Sequence, residues 1–172
     1  MSSQPAEERS ETLWEFCLRV YAAPGVAPAC LELQETHDVD VPLLLFSAWI
    51  ALVGVRMTPD QAHLARSWVV EWQHQVVKVL RSLRTRLKTG PAPAPSGPTE
   101  TFRTTIKRVE LEAEKLELET LETQAAVWRA EADRRVAPSE NLVTMFSAIT
   151  GQPIVSTLQI PSLSVIAAAS AG

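Results

Sequence analysis

The chain is poor in the residues that usually carry chemistry. Its 172 residues include two cysteines, three histidines and one tyrosine. Two cysteines cannot build a disulfide framework, and Cys17 and Cys30 both fall on apolar helix-like faces, so they read as buried free thiols. There is no Gly-rich phosphate loop, no Gly-x-Ser-x-Gly elbow, no HExxH and no CxxC. No metal or cofactor is therefore expected, and enzymatic activity is the less favoured reading. No apolar run of about 18 residues exists, which leaves no convincing membrane-spanning helix. The opening MSSQPAEERSET has neither a basic region nor an apolar one, so no secretory signal is expected and the default compartment is the cytoplasm. Basic excess is missing too. A net charge of -4 and a pI near 5.4 argue against nucleic acid as a partner. No internal repeat is visible.

What is present is helical patterning. Residues 1–10 read as a disordered lead-in. Thr12 with Glu15 forms a capping box, and Leu13, Phe16, Cys17, Val20 and Tyr21 follow at helical spacing. Pro24-Gly25 breaks this helix, and a short second one runs to about Gln34, with Glu35 to Asp38 as a loop. Asp40 is suited to cap a third helix, with Pro42 in its first turn. That helix, Leu43 to Val53, is apolar on nearly every face and so should be the buried centre of the core. Thr58-Pro59-Asp60-Gln61 starts a helical pattern that continues to about Lys88. Its stripe of Leu64, Trp68, Trp72, Val76, Leu80, Leu83 and Leu87 is long enough to predict a kink or break between Trp72 and Val77.

The expected architecture is all-α. A compact core of four or five helices covers residues 11–88. A mobile Pro/Gly/Ser-rich linker covers 89–99. One long charged helix covers 100–136, ending near Arg135, and packs on the core or projects from it. A short helix follows over 138–150. The stretch 151–172 contains no charged residue and is broken by proline, which predicts a flexible, uncharged tail. The long helix has an apolar stripe that drifts out of a clean heptad, so a coiled coil is open but not demanded.

The opening stretch resembles a bacterial family of uncharacterised helical proteins, the domain of unknown function 2390. The resemblance is carried by Trp14-Glu15-Phe16, Tyr21, Gly25-Val26, Cys30-Leu31-x-Leu33-Gln34, Asp40-Val41, Leu43 to Phe46 and Trp49. Val76-Val77, Leu80-Arg81, Arg84 and the run Glu110 to Glu114 extend it over roughly three quarters of the chain. Asp38 stands where the family usually has Gly, and Pro42 where it usually has Asn. The resemblance implies an all-helical fold and no established activity.

Four groups of residues remain as candidates. His37, Asp38 and Asp40 gather near Gln34 and Cys30, but their spacing matches no ligand set, and Asp40 reads as a helix cap. Arg81, Arg84 and Lys88 share one helical face and Arg103 and Lys107 another; together they make a corner for an anion or an acidic partner, or a merely solvated helix end. The acidic band from Glu110 to Glu122 reads as a solvated face. Trp68, Trp72 and Trp49 are core residues by default, or the lining of a pocket for a flat or lipid-like ligand. The favoured function is non-catalytic binding: an adaptor acting through a protein partner or self-association. A small-molecule or lipid-binding protein, or even an enzyme, with a Trp-lined cavity is one alternative. Peripheral membrane contact through residues 151–172 and the basic patch is another.

Overall fold

A computed structural model of the chain describes residues 11–130, 132 and 135–172. The expected lead-in, residues 1–10, lies outside these. Every described secondary-structure element is helical. In order they are α1 (Leu13–Ala22), α2 (Val26–His37), α3 (Val41–Leu52), α4 (Pro59–Trp72), a π-helical turn (Gln73–Val77), α5 (Lys78–Arg86), α6 (Gly97–Gln124), α7 (Ala126–Ala130), α8 (Pro138–Thr150) and α9 (Pro161–Ala171), with a short 3₁₀ turn at Thr157–Gln159.

The local start signals act as their chemistry dictates. Thr12 and Thr58 each close a reciprocal capping box, with Glu15 and Gln61. The Asp40 side chain accepts from the Leu43 amide and opens α3. All residues from Val41 to Ala51 are buried, so α3 is the axis of the core. It packs most closely on α8, and α6, α1, α9, α2 and α4 complete its surroundings.

Several expectations change. The core does not stop at residue 88, because Leu118 and Leu121 of α6, Ala125 just after it, and Leu142, Met145 and Phe146 of α8 are also fully or almost fully buried. Asn141 ties α8 to the connection between α3 and α4: its Nδ2 donates to the Val55 carbonyl (2.8 Å) and its Oδ1 accepts from the Met57 amide (2.9 Å). Helix α2 continues through the expected loop to His37 and ends on Asp38, which takes the left-handed conformation at φ 52°. A glycine would hold that conformation without strain. Helix α6 begins inside the expected linker, because Ser96 caps it and Pro98 fits its first turn. It turns at Ala125 rather than running straight on, and part of the predicted stretch to Arg135 lies outside the described residues. In α4 the core side is Ala62, Ala65 and Val69, while Leu64 is exposed. The small alanines let α4 approach the core, and the bulky stripe is left at the flank.

The tail departs furthest from expectation. Residues 161–171 form α9, which lies on α2 and buries Leu163 and Ile166 completely. The absence of charge here marks burial, not disorder. Ser162 Oγ donates to Glu32 Oε2 (2.7 Å), and Ser170 Oγ turns back to the Ile166 carbonyl (2.8 Å). Leu163→Ala should therefore lower stability by about 2–5 kcal/mol. Urea denaturation checks this, and a change within about 0.5 kcal/mol, the range of an exposed site, would show that α9 does not dock.

Candidate functional site

A polar seam runs through the apolar body where the π turn and α5 meet α6. A spacing of four residues advances about 40° beyond a full α-helical turn at each step, so the stripe Trp68–Trp72–Val76–Leu80 drifts around a regular helix. The wider turn at Gln73–Val77 absorbs that drift. It also places Gln73 inside, only 3% exposed, with neither carboxamide atom bonded.

Next along the seam, α5 is clamped to α6 by charge. Arg81 Nε donates to Glu110 Oε1 (3.0 Å) and its Nη2 to Glu114 Oε1 (2.6 Å). Arg84 Nε donates to Glu110 Oε2 (2.5 Å) and its Nη2 to Glu110 Oε1 (3.2 Å). Glu110 thus receives a guanidinium on each oxygen. Burial pushes its carboxyl up, but the bonds from Arg84 and Arg81 outweigh this and hold it below the usual range. At Glu114 burial wins over Arg81, and the carboxyl is raised.

The seam ends at Glu117, 1% exposed and facing Asp40. Burial first, and then the Asp40 carboxylate beside it, push the Glu117 carboxyl far above the ordinary value of 4.5. Neither carboxyl oxygen of Glu117 has a hydrogen-bond partner among the described residues, and a protonated, neutral acid is the form that such a place tolerates. Asp40 thereby has two effects, capping α3 and setting a negative charge beside Glu117.

Two concavities flank this seam. One, about 160 Å³, is lined on its polar side by Asp40, Arg66, Gln73, Lys78, His37 and His74. The other is an open groove of about 610 Å³ formed by Trp68, Trp72, Leu116 and Glu117 with Thr120. Trp72 is fixed there by its Nε1 donating to the Ala113 carbonyl (3.0 Å), and Trp68 stacks on Trp128 at 5.0 Å.

The basic corner is thus dispersed. Arg81 and Arg84 come together, but they hold this chain's own carboxylates instead of offering an open anion site. Arg103 pairs with Glu100 one turn back, and Lys88 and Lys107 are exposed with no ion pair among the described residues. Trp68 and Trp72 share the groove; Trp49 is buried elsewhere, its Nε1 donating to the Glu11 carbonyl (3.1 Å). Sequence spacing gives no hint of Gln73. It does hold a signal for the inward carboxylates, since Glu110, Glu114 and Glu117 continue the stripe of Ile106 and Ala113. No three described His, Cys, Asp or Glu residues are grouped to hold a metal ion. Cys17 and Cys30 are buried, and burial raises both thiols, so they stay protonated and unreactive.

These features define an all-helical protein with a buried acid seam and no assembled catalytic constellation among the described residues. The chain belongs to a family of proteins of unknown function, DUF2390, whose pattern matches residues 12–121. That span contains Asp40, Gln73 and the whole Arg–Glu clamp, while α8 and α9 lie beyond it. Neither the curated proteins nor the solved structures offer a match.

The acid pair has a measurable pH signature. A carboxyl raised in the folded state keeps its proton after the unfolded chain has lost it. Its contribution to stability therefore falls as pH climbs above 4.5, by up to about 1.4 kcal/mol per pH unit until the folded group itself ionises. Glu117→Gln keeps the shape of the side chain and removes the titration. The variant should match the parent near pH 5 and exceed it increasingly toward pH 9 in urea denaturation. Parallel stability curves would contradict the buried protonated acid.

Proposed function

We propose that the protein is a non-catalytic helical binding protein that works by self-association, with the α5–α6 hairpin as the contact. The observation carrying this is an apolar stripe left uncovered. Val79, Leu83, Phe102, Val109 and Leu116 are each between 38% and 56% exposed. Helical geometry places all five on one side of the antiparallel hairpin, opposite the Arg81/Arg84–Glu110/Glu114 clamp. Phe102, Val109 and Leu116 recur at seven-residue spacing along α6, and Leu116 leads into the Trp68–Trp72 groove. A two-helix layer with one bare apolar side is half of a four-helix arrangement.

The partner that fits is a second copy. Arg108 and Glu112 sit a turn apart beside the stripe, both exposed and without an ion pair among the described residues. Two α6 helices crossing antiparallel about a two-fold axis near Glu110 set each Arg108 against the other copy's Glu112. The first half of α6 carries Arg103, Lys107 and Arg108, and the second carries most of its glutamates, so antiparallel pairing matches unlike charges throughout.

Light scattering on a sizing column tests this. The parent should run as a dimer at tens of micromolar. Val109→Glu should make it monomeric. Arg108→Glu should weaken the dimer, and adding Glu112→Arg in the same chain should restore it. A monomeric parent, or a dimer indifferent to all of these changes, would overturn the proposal.

A further inference from the structure

The cavity beside the π turn is a feature that the self-association reading does not use. It lies between the start of α3 and α4, with Leu43, Val70 and Ile149 as its apolar wall. Its volume is about 160 Å³. A cavity of roughly that size holds a molecule of about six heavy atoms.

His37, edge-on to Phe146, and His74 also line it, and three further polar groups on its wall have capacity to spare. Gln73 is more than nine-tenths buried, and both its Nε2 donor and its Oε1 acceptor lack a partner. Leaving both unmade costs free energy that a ligand could recover. Arg66 is half-buried and makes no ion pair among the described residues. Asp40 presents its carboxylate from the floor, accepting from the Leu43 amide and with lone pairs remaining. Another charge on the wall, Lys78, is already taken: its Nζ lies 2.7 Å from both Asp38 oxygens. That pair closes one edge of the cavity and anchors the strained left-handed Asp38.

This inventory is asymmetric in a way that selects a ligand. One free cation and one amide donor call for a carboxylate. One carboxylate and one amide acceptor call for an ammonium. The apolar wall leaves room for a short aliphatic group. We infer that the cavity binds a small amino-carboxylate zwitterion, its carboxylate on Arg66 and Gln73 Nε2 and its ammonium on Asp40 and Gln73 Oε1. A lone inorganic anion would leave Asp40 and Gln73 Oε1 unanswered and meet an unfavourable carboxylate.

L-alanine, with six heavy atoms, is the probe. It should be titrated into full-length protein labelled with nitrogen-15, following the side-chain amide of Gln73 and the amides of α4. Saturable shifts centred on Gln73 and Arg66 are expected. Arg66→Met, at a half-exposed position that should leave the fold intact, and Gln73→Leu should each weaken binding by roughly tenfold to a hundredfold. Acetate and methylammonium, each half of the zwitterion, should bind more weakly than alanine. Circular dichroism confirms that the variants fold. Absence of shifts at tens of millimolar alanine overturns the inference. So does unchanged affinity in a folded Arg66→Met protein, or acetate binding as tightly as alanine. Val109→Glu tests self-association without touching this cavity, so the two proposals fail separately.

Discussion

Glu110 held between Arg81 and Arg84 is the interaction on which the arrangement of the outer half of the molecule depends. Helix α5 buries no residue completely, so hydrophobic contact alone gives it little reason to lie where it does. Two guanidiniums on one nearly buried carboxylate supply both attraction and register. Removing either side would leave uncompensated charge in a poorly hydrated place, which costs far more than an exposed pair contributes. The clamp sits on one side of the hairpin only. Its position leaves the other side with an uncovered apolar stripe, Val79, Leu83, Phe102, Val109 and Leu116, edged by charges such as Arg108 and Glu112 that have no ion pair among the described residues. The internal electrostatics therefore decide which surface is available for binding.

The inner half follows a different logic. Helix α3 is so apolar that it must be wrapped on all sides, and α8 and α9 are needed to finish the wrapping. The polar groups that remain inside are there for reasons of connection. Asp40 has to cap α3, and Glu117 is buried beside it with neither carboxyl oxygen hydrogen-bonded among the described residues. The π turn that lets α4 continue into α5 turns Gln73 inward at the same level. A carboxylate, an acid and a bare carboxamide thus meet beside a cavity. Such a concentration of incompletely bonded polar atoms is tolerated where it serves binding.

Much of this was legible in the sequence because the signals are local. Thr12, Thr58 and Asp40 cap helices with their own near neighbours, and the uniform apolarity of residues 43–53 requires burial whatever the surroundings. The length of the stripe from Leu64 to Leu87 foretold a break between Trp72 and Val77, where the π turn lies. Features that depend on distant partners were not legible. Glu110 and Glu117 look solvated until Arg81, Arg84 and Asp40 are brought to them by the hairpin. The serines of α9 look like a flexible tail until Glu32 is across from Ser162. Leu64 looks like core until Ala62 and Ala65 take the inner face by allowing closer approach.

The central claim is that the apolar side of the hairpin, and not the clamp side, is where two copies meet. Spin labels on single cysteines at Thr105 and Lys107 report this most directly, because these exposed positions lie on opposite sides of α6 and the native thiols are buried and protonated. Pulsed dipolar spectroscopy of each labelled protein gives the distance between the two copies. The account predicts a well-defined intermolecular distance for both, shorter at position 105 than at 107. A shorter distance at 107, or no intermolecular coupling at either position, would contradict it.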